Sequence, residues 1–316
     1  MRRWAPALVR GAGLLLLAWI LTRVDGPTLG ALLDKVDWTG LWGVPLLGVL
    51  MMGVRAWRWK LLLDLQKLEM SLWRAGVLYG SGIFLGSLTP GRLGDLAKTL
   101  YLRREQGVSW ERAAAGVLAD RLFDLGVMLL LALWALFHFE LCRWQPWMGW
   151  AGAGLGLGGW LFAVKGGKGL GGGWSAWLRR QRPWRFAEGM GSEMRGLKGR
   201  VGAWALGLTL LAYALYFAQT FLLARAQGLP LSAADVSAAL VLVGLASFLP
   251  VSVAGLGTRE GILIFLLGCR GVPENTEAGV LYSLLFFLSC FVFPAAVGAL
   301  CWLKEPLPLA ELKQRR

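Results

Sequence analysis

Charged residues that could bind an anion follow a break in a long apolar stretch. The apolar run 75–88 ends at T-P-G (residues 89–91), and Arg92, Asp95 and Lys98 come soon after it. As a helix the run covers about 21 Å, short of a hydrocarbon core roughly 30 Å thick. Thr is a good N-cap and Pro suits the first helical position, so the break can start a new helix that carries the three charges. Charges at that depth are tolerated only inside protein or beside water, so we predict a re-entrant hairpin that lines a polar site.

A second break with a similar order of residues lies in the last third of the chain. Residues 86–90 and 246–250 share a small-Ser-x-x-Pro pattern, and glycines and Arg259-Glu260 follow the second one. Two explanations remain open: an internal duplication, or chance similarity between Gly- and Leu-rich segments. Duplication predicts repeat units 41–139 and 202–302 of opposite orientation, an arrangement that places broken helices near the membrane midplane.

A helix that begins at such a break offers unpaired N–H groups and a partial positive charge. With Arg92 or Arg259 close by, each break favours an anion such as phosphate.

Two further groups of charges lie close to apolar segments. Asp120 and Asp124 share a helix face with Arg121 nearby, and we expect them to pair with one another, with Arg92 or with Lys98. This group is either an ion network that holds the hairpin, or a set that contacts substrate or couples protons. The second group, Arg55, Arg58 and Lys60, ends an apolar helix. These residues are expected to be interfacial anchors, although Arg55 is deep enough to reach a lipid headgroup.

The composition defines the class of protein. Of 316 residues, 56% are hydrophobic and only 16% are charged, and the mean hydropathy is +0.56. The chain is therefore predicted to be an all-α integral membrane protein. The net charge of +14 comes from basic residues between apolar segments, which favours a membrane surface over nucleic acid as the partner.

The apolar segments define a topology. With the third segment and the 236–267 pair as re-entrant hairpins, six helices span the membrane, and most of the 33 Lys and Arg fall on the side of both termini. The positive-inside rule then makes the termini cytoplasmic. The segments are 8–21, 41–63, 75–88, 116–139, 147–164, 202–224, 236–249, 262–267 and 279–302.

A basic loop, residues 165–200, is predicted on the cytoplasmic side. It begins with a Gly-rich linker and carries nine basic and two acidic residues. It is either an ordinary topology-fixing loop or an amphipathic segment that rests on anionic lipid.

Residues for covalent catalysis are scarce. The single histidine, His138, is expected to be structural, and the four cysteines lack metal-ligand spacing. We therefore expect no enzyme activity, no bound metal and no cofactor.

Four motifs together resemble a known family. They are R-A-W-R-W-K-L-L-L from residue 55, T-P-G-R-L-G-D from 89, A-D-R-L-F-D-L from 119 and P-V-S-V-A-G-L-G-T-R-E-G from 250. In this order they resemble the flippase-like membrane domain of lysylphosphatidylglycerol synthases and related stand-alone proteins found beside glycosyltransferase and hopanoid genes. The resemblance implies movement of lipids or lipid-linked sugars between leaflets. The aminoacyl-transferring domain of full-length synthases is not expected here, so neither synthase activity nor a lysyl-lipid substrate is expected.

These observations lead to one main functional hypothesis and one alternative. The chain is expected to move a phosphate-bearing lipid or a polyprenyl-phosphate-linked sugar across a bacterial or archaeal cytoplasmic membrane. Alternatively, it is a non-transporting anchor for a glycosyltransferase or another enzyme of envelope lipids. The expected substrate-binding residues are Arg92, Asp95, Lys98, Asp120, Arg121, Asp124, Arg259, Glu260 and Arg55. The expected helix-break residues are Thr89, Pro90, Gly91, Pro250, Gly255, Gly257 and Thr258.

Overall fold

The computed structural model describes residue 22 and residues 25–89, 94–139, 199–246, 258–270 and 276–304. Every regular element in these ranges is helical, which confirms the all-α prediction for this part of the chain. The helices are α1 Gly26–Asp34, α2 Gly43–Leu65, α3 Leu72–Ser87, α4 Ala97–Gln106, α5 Trp110–His138, α6 Arg200–Ala226, α7 Ala233–Ala246, α8 Thr258–Gly268, α9 Thr276–Phe287 and α10 Phe293–Lys304. A 3₁₀ turn, Gly40–Trp42, precedes α2, and a π-helical turn, Leu288–Val292, joins α9 to α10.

Three of these helical stretches are long and apolar enough to cross a membrane. They are Gly40–Leu65, Arg200–Ala226 and Glu277–Lys304. They contain the predicted segments 41–63, 202–224 and 279–302. The 29-residue helix α5 covers residues 116–138 of the predicted segment 116–139. Segments 8–21 and 147–164 lie outside the described residues, as does nearly all of the basic loop 165–200. The number of six spans therefore stays a prediction.

The two apolar helices next to the breaks are short. With 16 and 14 residues, α3 and α7 extend about 24 and 21 Å at 1.5 Å per residue. The first ends at Ser87, just before the predicted break, and α8 begins at the predicted break residue Thr258. The other break residues except Thr89 lie outside the described ranges, namely Pro90, Gly91, Pro250, Gly255 and Gly257.

The helix after the first break begins later than predicted. Its first residue is Ala97, and a tight turn over residues 94–96 precedes it, so Asp95 lies before the helix. The Thr89 hydroxyl accepts a hydrogen bond from the Gly94 amide at 2.6 Å. A Cβ at Gly94 would collide with the Leu85 carbonyl oxygen at the end of α3. This close approach sets the turn, and the prediction from the T-P-G motif did not account for it.

The described residues form two compact units. Unit 1 takes residues 25–51, 124–139, 210–246, 258–270 and 276–292, and unit 2 takes 52–89, 94–123, 199–209 and 293–304. This division does not follow the predicted repeats 41–139 and 202–302, which remain a prediction.

Each unit has its own apolar core. Leu240, Leu263 and Phe286 are buried in the core of unit 1, where α7 packs on α8 and α8 packs on α9. In unit 2, Trp59 and Leu102 lie in the core and α3 packs along α10. Glycines allow the close approach of α3 and α10, because a Cβ at Gly298 would collide with the Gly80 carbonyl.

Candidate functional site

A fully buried arginine lies at the centre of the charged residues in unit 2. Arg58 of α2 donates from Nε to Asp120 Oδ1 at 2.9 Å and from Nη2 to the Asp120 carbonyl at 3.2 Å. Its Nη1 donates to the Thr209 hydroxyl at 2.8 Å. These bonds join α2 to α5 and α6. The expectation that Arg58 is an interfacial anchor is therefore wrong, whereas the neighbouring Lys60 is partly exposed and pairs with Asp64.

The two charges that follow the first break join the same cluster. Lys98 Nζ lies 3.0 Å from Asp95 Oδ1 and 3.9 Å from Asp120 Oδ2. The ammonium also lies 4.2 Å from the centre of the Tyr79 ring, in a cation–π contact that partly replaces hydration. Arg121, next to Asp120 on α5, forms an ion pair with the other oxygen of Asp95.

A glycine of α3 makes room for this cluster. A Cβ at Gly82 would lie 2.8 Å from Asp95 Oδ1 and 3.0 Å from Lys98 Cγ. The absent side chain therefore lets α4 and the preceding turn bring two charges against an apolar helix. The turn after the helix break thus brings Asp95 and Lys98 close to Asp120 of α5.

The cluster forms an ion network between helices, and the alternative that its members contact substrate stays a prediction. The network brings together four of the predicted site residues, Asp95, Lys98, Asp120 and Arg121. The sequence interpretation missed Arg58 and Thr209. Burial of so many charges in an apolar setting is costly and is typical of functional positions in membrane proteins. Arg92 lies outside the described residues.

Two other predicted site residues lie on the same helices. Arg55 is half-buried and precedes Arg58 by three residues on α2. Asp124 is half-buried one turn after Asp120, within unit 1, and its carbonyl oxygen accepts a hydrogen bond from the Tyr213 hydroxyl at 3.1 Å.

Unit 1 contains a second buried charged cluster, beside the second break. Arg259 and Glu260, at the start of α8, are 2% and 4% exposed. Arg259 Nη2 lies 2.5 Å from Glu260 Oε1, and its Nε donates to the Ser283 hydroxyl at 3.0 Å. That hydroxyl in turn donates to Glu260 Oε1 at 2.7 Å. The predicted pair is therefore together, with Ser283 of α9 as a partner that the sequence interpretation missed.

Aromatic rings surround the Arg259 guanidinium. Its central carbon lies 5.2 to 5.7 Å from the ring centres of Phe286, Phe287 and Phe291. In a regular α-helix, positions five residues apart point about 140° away from each other. Phe286 and Phe291 are five residues apart, yet their ring centres lie only 5.8 Å from each other. The π-helical turn Leu288–Val292 overlaps this stretch of the chain. Such turns often occur at functional sites.

A third polar cluster in unit 1 contains the histidine. His138 Nε2 lies 2.8 Å from Asp235 Oδ1, and Arg270 Nε lies 2.7 Å from the same oxygen. A reciprocal cap begins α7: the Asp235 amide donates to the Ser232 hydroxyl at 3.1 Å, and the Ser232 amide donates to Asp235 Oδ2 at 3.1 Å. Burial raises the pKa of Asp235, but hydrogen bonds from Ser232 and His138 and the charge of Arg270 outweigh it and hold this pKa below its ordinary value.

These features define the chain as a multi-pass helical membrane protein with charged clusters inside its helical units. The described residues contain no group of three or more His, Cys, Asp and Glu side chains that could hold a metal ion. The chain belongs to the family described as the lysylphosphatidylglycerol synthase TM region, whose model matches residues 4–298. This match confirms the resemblance drawn from the four motifs. A comparison with curated proteins finds no match.

Proposed function

We propose that this protein moves a phosphate-bearing lipid, or a lipid-linked sugar, between the leaflets of a cytoplasmic membrane. The observation that carries the proposal is the unit 2 cluster, in which Arg58, Lys98 and Asp120 are all fully buried. Ionisable groups within the membrane-embedded segments of proteins are rare, face the protein interior and mark the paths of substrates or ions. Membership in a family of lipid-related membrane regions supports a lipid as that substrate.

The two short helices beside the breaks support a transport mechanism over a simple anchor. Both α3 and α7 are too short to cross a hydrocarbon core of about 30 Å, and in each case a charged cluster follows the break. Discontinuous helices with charges at their ends form the substrate sites of many transporters. The proposed arrangement keeps the six spanning helices and the inverted repeat expected from the sequence, with cytoplasmic termini and no covalent chemistry.

Cationic side chains would hold the headgroup. In this proposal Arg259 and Arg92 serve the two breaks, and the carboxylates orient the cations. Arginine suits this role because its planar guanidinium forms two parallel hydrogen bonds with a phosphate. Lipid hydroxyls or sugars beyond the phosphate would face the same polar surfaces.

Movement of a fluorescent phospholipid in proteoliposomes tests the function. Tail-labelled phosphatidylglycerol is incorporated into both leaflets, and a membrane-impermeant reductant then bleaches the outer leaflet. Vesicles with the protein should lose nearly all fluorescence, whereas protein-free vesicles should lose about half of it. The variant Arg259→Gln should abolish movement, and Lys60→Gln, a change of the partly exposed cation on α2, should leave it unchanged.

Two results would contradict the proposal. Vesicles with the wild-type protein that keep half of their fluorescence for several lipids, including a polyprenyl-phosphate sugar, would favour the non-transporting anchor. Equal movement by wild type and Arg259→Gln would remove Arg259 from the transport path.

A further inference from the structure

The cations of the unit 2 cluster differ in how easily each could leave its carboxylate. Arg58, Lys98, Asp95 and Asp120 are buried to 97% or more, and they form two cation–carboxylate pairs. These four residues, the buried quartet, are neutral as a set when all are charged. Arg121 is the fifth member, with 33% of its side chain exposed.

The quartet residues cannot separate without leaving a buried charge uncompensated. Arg58 supplies three hydrogen bonds to Asp120 and Thr209, and the next cation, Lys98, lies 3.9 Å from Asp120. Lys98 contacts two aromatic rings in addition to Asp95. Loss of one partner from a buried ion pair is strongly unfavourable because the other charge remains without compensation.

Arg121 is different, because Asp95 has a second cation. When Arg121 leaves Asp95 Oδ2, Lys98 still lies 3.0 Å from Asp95 Oδ1, and the quartet remains neutral. The partial exposure of Arg121 also lowers the cost of its movement. A guanidinium that is released from one carboxylate oxygen can offer two parallel N–H groups to a phosphate.

Among the described residues of unit 2, we propose that Arg121 contacts the lipid phosphate and that the buried quartet positions it. The ligand chemistry is a phosphate oxyanion on a lipid headgroup. The choice of a lipid as the ligand rests on the proposed function. In this assignment Arg121 contacts the ligand, whereas Asp95, Lys98 and Asp120 only position Arg121. The surplus positive charge of the described cluster lies on the one member that is open to solvent.

Lipid binding to the purified full-length protein tests the assignment. Tail-labelled phosphatidylglycerol is titrated against wild type, Arg121→Gln and Arg121→Lys, with Arg104→Gln as the control for loss of an exposed arginine. Arg121→Gln should weaken binding about tenfold or more, because a charge-assisted bond is lost. Arg121→Lys should weaken it by a smaller factor, since an ammonium lacks the fork geometry. The control should bind within about twofold of wild type.

The lipid and a soluble phosphate are separated by competition. Millimolar glycerol 1-phosphate should fail to displace the labelled lipid, and labelled diacylglycerol, which lacks phosphate, should not bind. Displacement by glycerol phosphate would overturn the lipid as the source of the anion. Wild-type binding by both Arg121 variants, with unchanged thermal midpoints, would overturn the contact itself.

The binding and transport experiments can refute the Arg121 contact and the proposed function separately. A wild-type protein that binds the lipid but does not move it refutes the proposed function and leaves the Arg121 contact supported by its variants. A protein that moves the lipid equally well with Gln at position 121 retains the function and refutes this contact. Should Arg121→Gln not fold, Arg121→Lys keeps the charge, and unchanged binding in that variant refutes the two-bond contact.

Discussion

Replacement of Arg58 should show how much the charged cluster contributes to the free energy of unfolding of unit 2. The change Arg58→Met keeps most of the side-chain volume but leaves Asp120 buried with a cation only at 3.9 Å, on Lys98. Breaking a buried pair in this way costs about 3–5 kcal/mol. The matched control is Lys60→Met, two residues further along α2. Lys60 and Asp64 are 26% and 42% exposed, and such exposed pairs contribute about 0.2–1 kcal/mol.

A second substitution separates the ion pair from the volume of Arg58. In the double variant Arg58→Met with Asp120→Leu, both charges of one pair are absent, while Lys98 keeps Asp95. The Thr209 hydroxyl also keeps a partner, because it donates to the Ala205 carbonyl at 2.7 Å. The double variant should therefore recover most of the stability lost in the single one, as replacement of whole buried pairs by apolar residues often does.

Equilibrium unfolding of the purified protein in mixed micelles, with increasing denaturing detergent, measures these differences. Tryptophan fluorescence is a suitable signal, because Trp59 lies next to Arg58 and is fully buried. If Arg58→Met and Lys60→Met both change the free energy of unfolding by less than about 1 kcal/mol, the buried pair does not hold these helices together. A double variant that is less stable than Arg58→Met would contradict the account of the uncompensated charge.

Three further predictions concern other parts of the molecule. Gly82→Val should lower the thermal midpoint because a Cβ there lies 2.8 Å from Asp95 Oδ1, whereas Gly76→Ala on the same helix meets nothing within 4 Å and should be neutral. Ser283→Ala should destabilise unit 1 by about 1–3 kcal/mol in the same unfolding assay, since it removes hydrogen bonds to Arg259 and Glu260. The lowered pKa of Asp235 contributes stability that is present above the ordinary carboxyl pKa of 3.8 and is lost as the pH falls through the lower folded value. A pH series of thermal midpoints should show this acid loss in wild type and a smaller one in Asp235→Asn.

Local features of the sequence predicted the end of α3 and the presence of charged residues just after each break. The T-P-G motif correctly ended α3 before Thr89, because Pro and Gly disfavour continuation of a helix. Asp95 and Lys98 were placed after the same break, but their pairing with each other was not predicted. Arg259 and Glu260 are adjacent, and their pairing required no knowledge of the tertiary structure.

Contacts between segments that are distant in the sequence could not be predicted from such local features. Arg58 follows Arg55 near the end of an apolar helix, a pattern equally typical of interfacial anchors. One usable signal existed: apolar residues, Leu61 to Leu63, continue the helix past Arg58, and a buried Asp120 requires a cation. Thr209 gave no signal, because Thr is common in membrane helices with its hydroxyl bonded to its own helix, as it is here to Ala205. The start of α4 depends on Gly94 packing against the Leu85 carbonyl, which is a tertiary contact.

Stability alone does not explain the buried charges of unit 2. Two ion pairs inside an apolar protein are often replaceable by apolar side chains of similar volume at no loss of stability. Helix packing at this place could therefore be achieved without Arg58, Lys98, Asp95 and Asp120. What apolar residues could not supply is a carboxylate that holds Arg121 through one oxygen while Lys98 occupies the other. Since the quartet is neutral with or without that bond, the proposed transfer of Arg121 to a lipid phosphate would leave no quartet charge uncompensated.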